Sequence, residues 1–167
     1  LIKQINPNLL KSIDFFDTIL KISKKKSIKF IKNNLIIDEI TDFDYSLGGF
    51  SNGKLIAVMN FNKNEIINYV ENYKIICRNG KNNFIEYFNY IFNYSELIVI
   101  LDRRFYNENE YSSLGFKTSE IILPKKETYH TKNSILYKKN NENATLFDHW
   151  RYKIYDAGHI KMVWKNE

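Results

Sequence analysis

The sequence predicts a mixed α/β (α+β) domain, in which a mostly antiparallel sheet is flanked by helices. Three observations carry this reading. Apolar runs with the two-residue period of strands alternate along the chain with runs of helical period. The pair Asn52-Gly53 sits between two strand-like segments, and such a pair tolerates the positive φ that a tight hairpin needs. The unbroken run Leu97-Ile98-Val99-Ile100-Leu101 marks a strand expected to be buried on both faces. A chain of 167 residues with 44% hydrophobic side chains has enough apolar material for one core, which excludes the disordered class.

The elements follow in order. Residues 1–20 read as an amphipathic helical extension, with Leu9, Leu10, Ile13, Phe16, Ile19 and Leu20 at helical spacing behind Pro7-Asn8. Ser23 reads as the N-cap of a second helix over 24–34, with Ile28, Phe30 and Ile31 among its apolar positions. Residues 44–50 and 55–61 read as strands joined by the turn Ser51-Asn52-Gly53-Lys54. Residues 69–78 predict a strand ended by Asn79-Gly80. Residues 82–92 predict a helix that buries Phe84, Ile85, Phe88, Ile91 and Phe92. After the strand 97–101 comes a short helix over 107–114, stopped by Gly115. A strand over 116–123 ends at Pro124, 129–138 contains another, and 140–144 is a polar loop. Tyr152, Ile154, Ile160, Met162 and Trp164 alternate about Asp156-Ala157-Gly158-His159, which predicts a C-terminal hairpin with one apolar face. The organisation expected is an extension over 1–20, a domain over 21–139, and a loop and hairpin over 140–167 packed on that domain.

Lys, Ile and Asn contribute 21, 24 and 22 of the 167 residues, a bias of the kind A/T-rich coding imposes. Single surface Lys and Asn residues are therefore poor functional signals. The net charge of +6 still favours an anionic partner, DNA or RNA. The cations gather at Lys24-Lys25-Lys26, Arg103-Arg104, Lys125-Lys126 and Lys138-Lys139, each of which also suits an ordinary solvated surface. One cysteine, Cys77, excludes an internal disulfide and a Cys-pair zinc site, and its apolar run Lys74-Ile75-Ile76-Cys77 reads it as a small buried residue. No apolar run reaches the length of a membrane span, so no membrane partner is expected. The first residues, starting at Leu1, lack the pattern of a secretion signal. An intracellular setting is expected, cytoplasm or organelle matrix, and the chain reads as a piece of something longer.

Restriction-type nucleases hold their metal with an acid two residues before a lysine, and no Asp/Glu-x-Lys triplet occurs here. Asp148-His149 and Asp156/His159 lack ligand spacing, so no metal site is predicted. Arg103 and Arg104 follow the 97–101 strand at the end where open α/β sheets place ligands, near Phe105, Tyr106 and Tyr111. Arginine beside aromatics suits phosphate contact and base stacking. The competing reading pairs Asp102 with one arginine and leaves the other in solvent. The tail aromatics Trp150, Tyr152, Tyr155 and Trp164 suit a core better than a base platform.

Three segments carry a family resemblance: Tyr45–Phe61 as a hairpin around Asn52-Gly53; Leu101-Asp102-Arg103-Arg104-Phe105 with Tyr111-Ser112-Ser113-Leu114-Gly115-Phe116; and Tyr152-Lys153-Ile154-Tyr155-Asp156-Ala157-Gly158. In this order they are similar to the C-terminal GNAT-like (N-acetyltransferase-fold) domain of phage and mobile-element homing endonucleases, over about residues 19–164. Those proteins usually carry a nuclease domain in front. The resemblance implies an acyl-CoA pyrophosphate loop at Arg78, Gly80, Asn82 and Asn83, with Lys81 adding charge. One glycine stands where the family pattern has two, so the loop reads as degenerate, and a strand-to-helix turn alone also accounts for Gly80. The resemblance places Tyr111 as the acid that would protonate a leaving thiolate, with Tyr106 beside it; Glu108, Glu110 and His130 are base candidates without support from spacing. The expectation is therefore a nucleic-acid-associated domain without its own nuclease, contacting DNA or RNA through Arg103, Arg104, Lys125 and Lys126. Such a domain would suit recruitment into a larger nucleoprotein assembly, for example an organellar ribosome. The alternative is an active N-acyltransferase using acetyl-CoA.

Overall fold

The structure, a computed structural model, describes residues 11–35, 40–103, 108–123, 126–132, 135–138, 151–155 and 158–165. It is a mixed α+β fold built on mostly antiparallel strand pairs. Two compact units divide the chain: Leu1–Val99 with Val163–Glu167, and Ile100–Met162.

The first unit contains β1 (Lys11–Ile13), β2 (Thr18–Lys21), α1 (Lys24–Asn34), β3 (Tyr45–Ser51), β4 (Lys54–Asn62), β5 (Glu65–Glu71), β6 (Ile75–Cys77), α2 (Gly80–Phe92) and the start of β7 (Glu96–Asp102). Its sheet has the order β2-β3-β4-β5-β7. The first three pairings are antiparallel, while β5 and β7 are parallel in the register Glu65↔Ile98 and Ile66↔Val99. Helix α2 makes the crossover that a parallel pair requires. A separate two-stranded sheet pairs β1 with β6, also in parallel.

Local chemistry explains several of these elements. The Ser23 hydroxyl accepts the Lys26 N–H at 3.3 Å and caps α1. Asn52 and Gly53 both take positive φ, 50° and 71°, as the two-residue turn between β3 and β4 demands. A second tight turn, with Lys63 at φ 49°, joins β4 to β5. Asn93 at φ 48° closes α2 in the left-handed conformation.

The core is organised around β4, which is buried on both faces from Ile56 to Phe61. Alternation sends Val58 and Asn60 toward α1. There Val58 joins Ile22, Phe30, Ile31 and Val70 in one apolar cluster. The opposite face carries Phe61, whose ring stacks on Phe88 of α2 at 3.7 Å, with Tyr45 and Phe92 edge-on nearby. Asn60 is fully buried, and both atoms of its carboxamide are hydrogen-bonded. Its Oδ1 accepts the Ser27 hydroxyl of α1 at 2.8 Å and the Ser46 hydroxyl of β3, and its Nδ2 donates to Asn68 of β5 at 2.8 Å.

The second unit contains the end of β7, α3 (Glu108–Ser112), β8 (Lys117–Ile122), β9 (Lys126–Lys132), β10 (Ile135–Lys138), β11 (Arg151–Tyr155) and most of β12 (His159–Lys165). Here β12 lies between β7 and β8, and β9 pairs antiparallel with β10 and β11 on either side.

Five expectations are corrected. Helix α2 buries Phe84, Ile85 and Phe88, but Ile91 and Phe92, in its last turn, are 42% and 39% exposed. Within the expected 1–20 helix, Lys11–Ile13 and Thr18–Lys21 are strands, and residues 1–10 lie outside the described residues. Pairing with β6 and β3 satisfies those backbone groups across the sheet, so tertiary partners override the local helical spacing. The expected strand 69–78 is two strands. Between them the Asn72 side chain accepts the Lys74 N–H, and its carbonyl accepts the Ile75 N–H. Strand β7 is not buried on both faces: Leu97, Val99 and Leu101 are buried, while Ile100 is 41% exposed. The terminal hairpin does not form either, because β11 pairs with β9 while β12 belongs to a different sheet. The polar loop 140–144 and Pro124 lie outside the described residues.

Phe16 fills the space that Gly49 leaves. A Cβ on Gly49 would stand 2.8 Å from three atoms of that ring, which packs 4.8 Å from Phe84 of α2. Gly49→Ala is therefore expected to cost about 1–3 kcal/mol of unfolding free energy. In urea denaturation, adding Phe16→Leu to Gly49→Ala should recover part of that loss, which a pair acting independently would not do.

Candidate nucleic-acid interface

Helix α1 reads Lys-Lys-Lys-Ser-Ile-Lys-Phe-Ile-Lys-Asn-Asn. Ser27, Phe30 and Ile31 form its buried stripe, one turn apart, and the Ser27–Asn60 hydrogen bond fixes the rotation of the helix about its axis. At 100° per residue, Lys25, Lys29 and Lys32 then fall together on the opposite, solvent face, and all three are exposed. Seven helical steps separate Lys25 from Lys32, a span of about 10 Å. Among the described residues none of the three has an acidic partner.

The flanking lysines are engaged. Lys24 pairs with Asp42, and that hydrogen bond and charge hold the Asp42 carboxyl below its ordinary range. Lys21 lies over the Tyr45 ring at 4.8 Å and Lys26 over Phe50 at 5.0 Å. The charge layout works against the helix's own stability. The first turn holds no acid and three lysines at the positive end of the dipole, and Lys25 and Lys29 repel at the i, i+4 spacing. A row of phosphates relieves both penalties. The sequence reading saw Lys24-Lys25-Lys26 but missed Lys29 and Lys32. The signal was present as the spacing of four and then three residues from Lys25.

The expected cofactor loop lies at the start of α2 and is occupied by the protein's own chain. The Arg78 N–H donates to the Ile13 carbonyl at 3.0 Å and the Asn79 N–H to the Asp14 carbonyl at 3.2 Å. The Asp14 carboxylate stands 3.8 Å from the Arg78 guanidinium. Asn82 donates through its side chain to Glu86 at 2.7 Å, and the Asn83 N–H donates to the Asn79 carbonyl at 2.9 Å. Among the described residues the buried Oδ1 of Asn83 has no hydrogen-bond donor. Gly80 is a packing requirement: a Cβ there would stand 2.2 Å from the Tyr69 hydroxyl, which itself donates to Glu71. Lys81 lies over the Tyr69 ring. The N–H groups of Arg78 and Asn79, just ahead of α2, thus already hold carbonyls, and the Asp14 carboxylate stands beside Arg78.

The remaining candidates lie in the second unit or outside the described residues. Arg103 is exposed, and its backbone N–H donates to the Gly158 carbonyl at 3.2 Å. Lys126 opens β9, whereas Arg104, Phe105, Tyr106, Lys125, Asp148, His149, Trp150 and Asp156 lie outside the described residues. Tyr111 is buried in α3, packed edge-to-face on Phe116 at 5.4 Å. Glu110 is exposed in the same helix; Glu108 opens it, and His130 lies in β9. Among the described residues no cluster of His, Cys, Asp or Glu is arranged to hold a metal, and no helix is long and apolar enough to cross a membrane. No protein-family model matches the sequence, and no curated protein matches it.

Cys77 is buried beside this loop, its Sγ 3.7 Å from the Asp14 carbonyl. Burial, and then the charge of Glu71, push its thiol up to about 11. The folded protein therefore holds this proton more tightly than the unfolded chain. Its contribution to stability is complete below the ordinary thiol range near pH 9 and is lost as pH rises toward about 11. Iodoacetamide should alkylate the native protein at pH 8.5 far more slowly than the denatured chain, as read by mass spectrometry.

Proposed function

We propose that this chain is a nucleic-acid-associating domain that holds a phosphate backbone against the Lys25, Lys29 and Lys32 stripe of α1. That stripe is the observation that carries the reading. Its three cations have no acidic partner among the described residues, and they are aligned over a length that spans several phosphates of a duplex. The order β2-β3-β4-β5-β7, with α2 crossing between the parallel β5 and β7, supports a GNAT-like frame. The capture of the Arg78 and Asn79 N–H groups by Ile13 and Asp14, with the Asp14 carboxylate beside Arg78, favours a domain that has given up acyl-CoA over an N-acyltransferase. Arg103, Arg104, Lys125 and Lys126 are proposed as further phosphate contacts on the sequence alone. A homing-endonuclease ancestry is what the resemblance implies; a place in a larger nucleoprotein assembly, in the cytoplasm or an organelle matrix, is proposed from the basic charge, the A/T-rich composition and the missing Asp/Glu-x-Lys triplet.

Fluorescence anisotropy with a labelled duplex and a labelled single strand, repeated over a salt series, tests this. The wild type should show affinity that falls steeply with salt. Lys25→Ala/Lys29→Ala/Lys32→Ala should bind more weakly and lower the duplex log–log salt slope by about 2 to 3. Circular dichroism should show the triple variant folded, because all three side chains are solvent-facing. An unchanged slope in a folded variant overturns the assignment. Acetyl-CoA at millimolar concentration should leave the melting temperature where it is, and an upward shift would restore the acyltransferase reading.

A further inference from the structure

A second feature of the first unit is a cavity of about 260 Å³, lined by parts of β1, β4, β6 and the β3–β4 turn. Its construction is regular. The two-residue period places Lys11 and Ile13 on one face of β1, and Lys54 and Ile56 on one face of β4. Each strand therefore brings one isoleucine to the lining and, two residues earlier, one lysine. Ile75 of β6, in register with Lys11, completes the apolar lining. Ile56 is buried, while Lys11 and Lys54 are exposed. Among the described residues neither lysine has an acidic partner. Asn52, at the edge, has its backbone N–H held by the Asp17 carboxylate at 2.6 Å, so the turn is fixed.

We propose that this cavity binds a small amphipathic carboxylate, an alkyl or aryl acid of roughly medium chain length. The volume holds about nine water-sized groups at ~30 Å³ each, which matches a chain of that length and excludes a bulky cofactor. The isoleucines take the apolar part, which gains by leaving water. The carboxylate stays at the mouth between the two ammonium groups, where it needs no desolvation. A neutral chain forgoes the ion pairs, and a short acid forgoes the apolar burial, so both parts of the ligand are required. The cavity uses none of Lys25, Lys29 and Lys32, so this inference stands apart from the nucleic-acid reading.

Isothermal titration of the full chain with sodium octanoate tests it, with 1-octanol and sodium acetate as the two half-ligands. Octanoate should bind saturably at one site, and each half-ligand should bind at least tenfold more weakly. Lys11→Ala/Lys54→Ala should weaken octanoate about tenfold while leaving octanol unchanged. Ile75→Trp, which fills the cavity from a half-exposed position, should abolish octanoate binding while circular dichroism shows the fold retained. Absence of binding by the wild type, equal affinity for octanol and octanoate, non-saturable uptake, or a folded Ile75→Trp variant that binds as before would each overturn the proposal.

Discussion

The carboxamide of Asn60 is the constraint on which the first unit turns. It sits fully buried in the middle of β4, in a layer that is otherwise apolar. A buried amide left unpaired costs about 1–3 kcal/mol, so only arrangements that satisfy all its partners survive. Here the partners come from three directions: Ser27 of α1, Ser46 of β3 and Asn68 of β5. Sliding β3 or β5 by one residue against β4 turns Ser46 or Asn68 to the opposite face and breaks the set. The same group fixes the rotation of α1, because Ser27 faces inward only when Lys25, Lys29 and Lys32 face outward. A buried hydrogen-bond network thereby sets the direction of a surface charge stripe.

On the other face of the sheet, glycine and aromatic side chains do comparable work. Phe16 enters against Gly49, Gly80 and Phe84, in the space those two glycines leave open. The segment that carries Phe16 also brings Ile13 and Asp14 to the first residues of the 78–83 loop. Packing and loop closure are consequently one event. The ring that completes the core is four residues or fewer from the carbonyls that occupy the loop amides.

How much of this was legible beforehand varies with the range of the interaction. The α1 cap at Ser23, the Asn52-Gly53 turn and the Phe84, Ile85 and Phe88 part of the α2 core face were read correctly from neighbours a few residues apart. The strands β1 and β2 were not, because their apolar spacing fits a helix and only distant partners make them strands. The candidate site divides the same way. A run of lysines at 24–26 was plain, and so was the glycine at 80. That Lys29 and Lys32 join Lys25 on one unpartnered face depends on which side of α1 is buried. That Gly80 serves Tyr69, two elements away, depends on the packing of α2.

The sequence by itself determined the mixed α+β class, the basic charge, the lack of an internal disulfide and the turn at Asn52-Gly53. These follow from composition and from interactions within one turn or one hairpin, which a linear pattern records. Only the tertiary structure decided that β4, rather than β7, is the strand covered on both sides, and that β11 leaves β12 to join β9. It also decided that the N–H groups of Arg78 and Asn79 are taken by the Ile13 and Asp14 carbonyls. The reason is physical. Backbone hydrogen bonds and close packing between distant segments are indifferent to sequence separation, so nothing in the local pattern encodes which partner arrives.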